Sequence, residues 1–353
     1  MKNTIALLFF SAILIVGCDN VLDSSSDGVS GEWLIPKDQI FDGGPGKDGI
    51  PALQNPELLS ISSISYLNDN DLVIIIRFGN TIKVYPHAIL DWHEIINDGI
   101  DNHKFAITYC PLTGSATAWN RILNGTETTF GVSGLLYNSN LIPYDRATNS
   151  NWSQMEVQSV NGSLIGTEAE TYSIIETTWK TLKALYPAAS VVSTNTGISR
   201  NYGSYPYGDY RTNHNSLLFP VSTNDERLDA KLRVLGIVDG SDAIAHQISS
   251  FGNENFISNE TINGKQIVVI GNSDKNFAAA FYRNVSDGKQ LVFTPLQNML
   301  PIVMEDNEGN KWDFFGRAVE GSRTGEELDS PKAFIAYWFA WAAFYPNTSI
   351  ANN

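Results

Sequence analysis

Apolar positions in this chain come mostly in short alternating runs broken by Gly, Asn and Asp, and that period of two predicts strands over most of its length. Residues 72–78 and 81–85 read as a hairpin across Gly79-Asn80. Extended segments follow at 104–110, 115–120, 128–136 and 137–144. A second group covers 233–238, 243–246, 266–270, 278–282, 291–294 and 311–314, punctuated by Asp239-Gly240, Asn263-Gly264 and Asp287-Gly288. Three stretches break the alternation and predict helices. The first is 86–97, opened by Pro86 and closed by Asp98-Gly99. The second is 172–186, with Trp179, Leu182 and Leu185 on one face and Pro187 beyond its end. The third is the aromatic run 333–344, stopped by Pro346. The balance is a β-rich α+β fold of many short antiparallel strands with about three helices, including a C-terminal aromatic one. No heptads and no internal repeat stand out, and no Pro/Ser/Gly linker interrupts the chain after residue 50. Residues 31–353 therefore read as a single globular domain.

The start of the chain reads differently. Lys2 precedes an apolar run, residues 5–16, that is too short to span a bilayer comfortably. It ends in Ile15-Val16-Gly17-Cys18, which resembles a bacterial lipoprotein cleavage box. Residues 1–17 are thus expected to be a signal peptide and Cys18 the lipidated residue, with acyl chains anchoring the protein at roughly 0.8 kcal/mol per buried methylene. Residues 18–30, rich in Ser, Asp and Gly, form a flexible tether. The expected address is the bacterial cell envelope, periplasmic or surface-exposed, with a membrane as partner through the lipid.

Charge narrows the partners. Lys and Arg number 23 against 38 Asp and Glu, a net charge of −15, and loss of Lys2 with the signal deepens it by one. That disfavours nucleic acid, which needs clustered cations. With Cys18 acylated, Cys110 is the only thiol left, so neither an internal disulfide nor a two-cysteine redox couple is open to it.

Three stretches concentrate candidate chemistry. Tyr85 to Glu94 holds His87 and His93 but lacks the second histidine of His-Glu-x-x-His, which argues against a zinc protease. Cys110 ends a strand and enters the turn Pro111-Leu112-Thr113-Gly114-Ser115. Backbone N–H groups around such a glycine turn form an anion nest, and Thr113 and Ser115 add hydroxyl donors. Only a thiolate attacks, and a free thiol titrates near 8.5, so a working Cys110 must be activated; otherwise it is a buried, inert cysteine. The third stretch contains Asp145, Arg146, Ser150, Trp152 and Gln154, which read as site-lining residues or as an Asp-Arg pair holding a loop. Gly131-Val132-Ser133-Gly134 is not a serine-hydrolase elbow, and the glycine-rich 41–49 lacks the context of a phosphate loop.

Several long motifs in order resemble the bacterial family called domain of unknown function 3179. They are Tyr-Pro-x-x-Ile-Leu-x-Trp-His-Glu-x-Ile-Asn-Asp at 85–98, Tyr-Cys-Pro-Leu-Thr-Gly-Ser-Ala at 109–116, and Phe-Gly-Val-Ser-Gly-Leu-Leu-Tyr-Asn-Ser-Asn-Leu at 130–141. Asp-Arg-x-Thr-x-Ser-x-Trp-Ser-Gln at 145–154, Tyr-Gly-x-Tyr-Pro-Tyr-Gly-x-Tyr at 202–210 and Tyr-Trp-Phe-Ala-Trp-Ala-Ala-Phe-Tyr-Pro at 337–346 extend the likeness from about residue 36 to the end, without departures. The family name offers no activity, and the cofactors are unknown from the sequence. Some members are described as selenoproteins, and the position matching Cys110 is the natural place for selenocysteine. The resemblance therefore implies redox or nucleophilic chemistry there.

Three functional readings follow. In the first, Cys110 is a one-cysteine redox centre or nucleophile. His93 or His87 acts as base, Arg146 or Arg121 holds an anionic substrate or lowers the thiol pKa, and Thr113, Ser115, Asp145, Trp152 and Gln154 line the site. A sulfenate would then be resolved by an external thiol reductant. In the second, Cys110 and one or two of the five histidines (87, 93, 103, 214 and 246) bind copper or another soft metal, although no close-spaced ligand pair supports it. In the third, the chain is a non-catalytic surface module whose Tyr202–Tyr210 cluster faces a sugar or peptide.

Overall fold

Strands dominate the computed structural model, which describes residues 31–351. Its three α-helices, among the described residues, are seven residues each: α1 (His87–His93), α2 (Trp179–Leu185) and α3 (Trp338–Phe344). The fold is β-rich α+β, with the C-terminal helix carrying aromatic residues. Most strands fall where the alternation placed them. The hairpin pairs Leu72–Phe78 with Thr81–Pro86, and His103–Cys110 lies antiparallel to Ser115–Asn120.

All three helices are shorter than the sequence suggested, for one shared reason. Each is preceded or followed by a run that pairs in a sheet instead of continuing the helix, rich in β-branched residues at the first two joints and in aromatic and alanine residues at the third. Ile95–Ile100 is a strand beside His103–Cys110. Ile174–Thr178 pairs with Leu72–Phe78, and Lys332–Tyr337 pairs with Arg233–Asp239. The chain then enters α2 and α3 directly from those strands. Thr178 caps α2 by accepting from the Thr181 amide.

The fold also corrects the expectation that no repeat exists, because the chain folds the same unit twice. In the first, the hairpin Leu72–Phe78/Thr81–Pro86 is followed by a three-strand meander (Ile95–Ile100, His103–Cys110, Ser115–Asn120). A four-strand meander comes next (Phe130–Tyr137, Asn140–Asp145, Asn151–Ser153, Gln158–Asn161). The chain then returns through Ile174–Thr178, forms α2, and lays Ser190–Val192 parallel to the hairpin's second strand. In the second, Arg233–Asp239/Asp242–Gln247 leads to Phe256–Ile262, Lys265–Asn272 and Phe277–Tyr282. Phe293–Pro295, Ile302–Asp306, Lys311–Asp313 and Ala318–Glu320 follow. Lys332–Tyr337 returns, α3 forms, and Ser349–Ile350 runs parallel to the hairpin's second strand.

Local chemistry repeats with the topology. Trp152 Nε1 donates to Asp145, and Trp312 Nε1 donates to Asp306. Val160-Asn161-Gly162-Ser163 answers Val319-Glu320-Gly321-Ser322. The first residue of each helix donates its amide to the residue just before the hairpin: Trp179 to Asp71 and Trp338 to Leu232.

The two repeats share their cores. Lys332–Tyr337 packs on Ser115–Asn120, and reciprocally Ile174–Thr178 packs on Phe277–Tyr282, as a pseudo-twofold arrangement requires. One apolar cluster joins Cys110, Trp119 and Trp152 to Val234, Trp338 and Trp341; another joins Val73, Ile75 and Trp179 to Val268, Phe281 and Trp312. Between the repeats runs a strap, residues 193–232, without helix or strand. A connection of that length without regular structure is unusual inside a compact fold and commonly functional.

Candidate functional site

Cys110 is the last residue of its strand and pairs with Ser115 across the turn. The turn closes with the Thr113 amide donating to the Cys110 carbonyl at 3.2 Å. Gly114 takes φ +58°, and a Cβ there would lie 2.8 Å from the Tyr337 ring, so this position requires glycine twice over. Pro111, Leu112 and Thr113 each offer a carbonyl outward, and a tyrosine takes each one. Tyr205 Oη donates to Pro111 at 3.2 Å, Tyr210 Oη to Leu112 at 3.0 Å, and the Tyr337 amide to Thr113 at 2.7 Å. The first two come from the strap and the third from the second repeat.

The thiol is free and buried, with 1 % of its surface exposed. Its Sγ–H points to the Ser139 carbonyl at 3.7 Å. Burial first, and then the charge of Glu94, push the thiol up to about 11; donors from Thr113 and the Leu141 amide pull in the opposite direction.

Glu94 is the residue that sequence reasoning passed over. It follows α1 with φ 56° and ψ −35°, an unfavourable backbone for a glutamate. Its amide donates to Leu90 at 2.8 Å and its carbonyl accepts from Tyr109, the neighbour of Cys110, at 2.7 Å. The residue is 6 % exposed, its carboxyl makes no hydrogen bond or ion pair among the described residues, and burial raises it to about 8. Its signal in the sequence was its place at the end of a helix directly before a β-branched run, where the chain must turn sharply.

A second buried group of charges lies beside this pair. Asp91 Oδ2 is 3.0 Å from Arg211 of the strap, while its Oδ1 has no partner and burial raises the carboxyl to about 6. Arg211 lies 3.6 Å over the Tyr205 ring. His87 packs its ring on Tyr109 at 4.5 Å and holds Nε2 2.9 Å from Glu176, at ion-pair distance but without hydrogen-bond alignment. Burial lowers His87 to about 3, so it is neutral at neutral pH. Glu176 pairs with Arg233 from the second repeat.

The other expected site residues have different partners. His93 uses both ring nitrogens, Nδ1 on the Pro51 carbonyl at 2.7 Å and Nε2 on Tyr202 Oη at 2.6 Å, and no contact joins it to the thiol. Arg146 pairs with Asp48 at 2.6 Å, so the loop-holding ion pair exists with Asp48 in place of Asp145. Arg121 binds the Thr128 and Asp98 carbonyls and Glu127. Asp145 accepts from Thr148 and from Trp152, and Trp152 is wholly buried.

Thr113, Ser115 and Gln154 do come together beneath the turn. Ser115 Oγ donates to Gln154 Oε1 at 2.7 Å, Asn140 Nδ2 donates to Thr113, Ser115 and Gln154, and Gln154 Nε2 donates to Thr108. A buried polar network this complete fixes the turn; its one orphan is Asn140 Oδ1. Cys18 lies outside the described residues.

Three more observations bound the site. Among the described residues no cluster of three or more His, Cys, Asp or Glu side chains is placed to hold a metal ion. Tyr202 and Tyr210 are buried, while Tyr205 and Tyr207 between them are partly exposed. A cavity of about 660 Å³ lies between the repeats. It is floored by Ala116, Ala118 and residues 278–280 and touches Glu176, but Cys110 is not in its wall. The unpartnered acid and the thiol, not that cavity, concentrate the chemistry. The second repeat has lost it: the positions answering His87, Glu94, Cys110 and Glu176 are Ile248, Phe256, Asn272 and Ile335.

No described helix is long and apolar enough to cross a membrane. Comparison with family models gives one match, over residues 47–348, to a family described as a protein of unknown function, DUF3179. Neither the curated proteins nor the solved structures give a match.

Proposed function

The chain belongs to the DUF3179 family, and we propose that this member is an envelope lipoprotein, anchored through Cys18, that performs nucleophilic or redox chemistry with the single thiol of Cys110. One observation carries the reading: a lone buried thiol feels the charge of a buried glutamate whose carboxyl has no partner among the described residues. Leaving an acid in the interior without a hydrogen bond costs stability, and an apolar residue would fill the space at no such cost. Groups that violate packing rules in this way concentrate at functional sites.

The chemistry follows from the two protonation states. At neutral pH the thiol holds its proton and so does most of the Glu94 population, since its value near 8 lies close to the working range. Attack by sulfur is therefore coupled to proton transfer, with Glu94 as the exchange partner, and does not draw on a resting thiolate. As charge develops on sulfur, the Thr113 and Leu141 donors stabilise it. With no second cysteine, an oxidised Cys110 is returned by an external thiol.

The test is alkylation of the purified full-length chain with iodoacetamide, read by mass spectrometry at Cys110. A rate that depends on Glu94 supports the reading. A thiol inert in the folded protein to alkylating, oxidising and disulfide reagents alike sinks it. The anchor is tested separately: Cys18→Ala must move the protein from the detergent phase to the aqueous phase.

A further inference from the structure

We infer that the cavity between the two repeats binds a small organic ammonium ion with an apolar body, at a site separate from the thiol. The duplication builds its frame. Ser115–Asn120 and Phe277–Tyr282 are equivalent strands, and each sets alternate alanines in the floor. Ala116 and Ala118 come from the first repeat, and Ala278 and Ala280, at the matching positions, from the second. The two returning strands supply the walls, with Glu176 in one and its counterpart Ile335 in the other. Small side chains at matched positions leave about 660 Å³ open. That lies within the range of small-molecule sites, roughly 300–1,000 Å³. Larger apolar residues there would bury more area, so the fold gives up stability to keep the space open.

The wall selects the charge of the ligand. It contains three carboxylates, Glu176, Glu327 and Asp329, and two permanent cations, Arg77 and Lys332. Both cations are already engaged: Arg77 Nη1 donates to Asp313 at 2.5 Å, and Lys332 Nζ donates to the Glu156 carbonyl at 2.9 Å. The carboxylates keep open positions. The Asp329 side chain makes no hydrogen bond or ion pair among the described residues, where only its backbone carbonyl is used, by the Tyr282 amide. The nearest guanidinium nitrogens to Glu327 stand at 3.8 and 3.9 Å, beyond hydrogen-bond reach.

Glu176 is the second, independent observation. It is 5 % exposed. Its Oε1 is held by Arg233 and Asn276, but its Oε2 accepts no hydrogen bond among the described residues; His87 Nε2 lies 2.9 Å from it without alignment. A buried carboxylate oxygen left open in a cavity wall calls for a donor. The open polar positions are therefore acceptors throughout, which favours a donating cation and works against an anion. Phe78, Tyr172, Phe281 and Phe315 line the same space, and His103 stacks on Phe78 at 4.0 Å. Rings so placed pack on an apolar body and attract an ammonium over their faces.

The experiment is equilibrium dialysis of the full-length protein in detergent, against a protein-free detergent blank, with three probes of one shape: 4-phenylbutylamine, 4-phenylbutanol and 4-phenylbutanoate. The expected result is one amine bound per protein, with the alcohol weaker by about tenfold and the carboxylate weaker still. Ala280→Phe, which fills the floor from the second repeat, should weaken the amine by about tenfold or more. Glu327→Gln with Asp329→Asn, both at exposed positions, should weaken the amine by roughly three- to tenfold and leave the alcohol unchanged. Glu176→Gln, which keeps an oxygen for Arg233, should act in the same direction and more strongly. Should Ala280→Phe not fold, Ala280→Val must still weaken the amine; should Glu176→Gln not fold, the exposed pair carries the charge test. Equal affinity for the three probes overturns the inference, as does amine binding that is unchanged by the alanine substitution. Cys110 enters none of these readouts, so the thiol reading stands or falls apart from this one.

Discussion

The amide of Tyr337 donates to the carbonyl of Thr113 at 2.7 Å, so the turn that carries the thiol in the first repeat is held by the strand that enters α3 in the second. Site and fold therefore meet at Gly114, beneath the Tyr337 ring. Gly114→Ala forces a Cβ into a +58° backbone and to within 2.8 Å of that ring. The expected cost is about 1–3 kcal/mol, measured by urea unfolding. Cys110 alkylation should quicken in the same variant, because the turn and the tyrosine clamp loosen together.

Glu94 gives stability a pH signature. Its folded value near 8 lies above the ordinary 4.5, so the folded protein keeps a proton that the unfolded chain has released across that window. The stability linked to that proton is complete below the ordinary value and is lost as pH rises towards 8. Asp91, raised to about 6, behaves the same way over a lower window. His87, held near 3, has the opposite sign: its contribution is lost as pH falls below 6.5. Between pH 6.5 and 8 only Glu94 of the three still titrates. Unfolding free energy should fall there by up to about 1.4 kcal/mol per pH unit. Glu94→Gln should flatten that limb and be the more stable protein at pH 8. A limb that persists in the variant assigns the proton elsewhere.

Alternation made the hairpins legible, because one face of each is buried and a period of two survives. The strand-to-helix joints were not legible. Ile174-Ile175 and Ala336-Tyr337 are apolar in both periods, and only pairing partners distant in sequence, at residues 72–78 and 233–239, decide for strand. The duplication escaped for a related reason. What repeats is backbone pairing and a few signatures such as Gly162/Gly321 and Tyr186-Pro187/Tyr345-Pro346, while the residues with chemistry diverged. At the site, the turn was found through Cys110 and Thr113. Glu94 was not, because a helix read over 86–97 places it mid-helix, whereas the helix ends at His93 and Glu94 turns the chain into the strand beside Tyr109.

The duplication itself predicts matched energetics at Asp145 and Asp306. Asp145 accepts from the Thr148 amide and hydroxyl and from Trp152; Asp306 accepts from the Glu308 and Asn310 amides, the Asn310 side chain and Trp312. Alanine at either position strands a buried indole N–H and opens a turn, at about 2–4 kcal/mol. The two losses should agree within roughly 1 kcal/mol, and neither variant should change the Cys110 alkylation rate measured well below its unfolding transition. A selective effect of Asp145→Ala on that rate would restore Asp145 to the site.

Glu176 joins the repeats electrostatically, with His87 on one side and Arg233 on the other. Glu176→Ala leaves the Arg233 guanidinium largely buried with Asn276 as its remaining partner at 2.8 Å. The expected destabilisation is about 3–5 kcal/mol. Removing both charges, in Glu176→Leu with Arg233→Met, should cost less than Glu176→Ala alone, because no charge is left without a partner. A double variant worse than the single would show that the pair contributes more than mutual neutralisation.

Access to the thiol depends on the strap. Tyr205 and Tyr210 each hold one carbonyl of the Cys110 turn, and Lys231 fastens the strap to itself through the Tyr210, Asn213 and Ser216 carbonyls. Each hydroxyl bond contributes about 1 kcal/mol, and a thiol with 1 % exposure reacts only when such bonds open. Tyr205→Phe with Tyr210→Phe should therefore raise the iodoacetamide rate at Cys110 about tenfold or more, with global stability lowered by less than Gly114→Ala lowers it. Amide hydrogen exchange should quicken in residues 199–219 and at the 111–114 turn and leave the Leu72–Phe78 hairpin unchanged. Equal rates in the wild type and the double variant would mean that reagents reach the sulfur by another route, and the cavity beside Glu176 would then be the place to block, with Ala116→Phe.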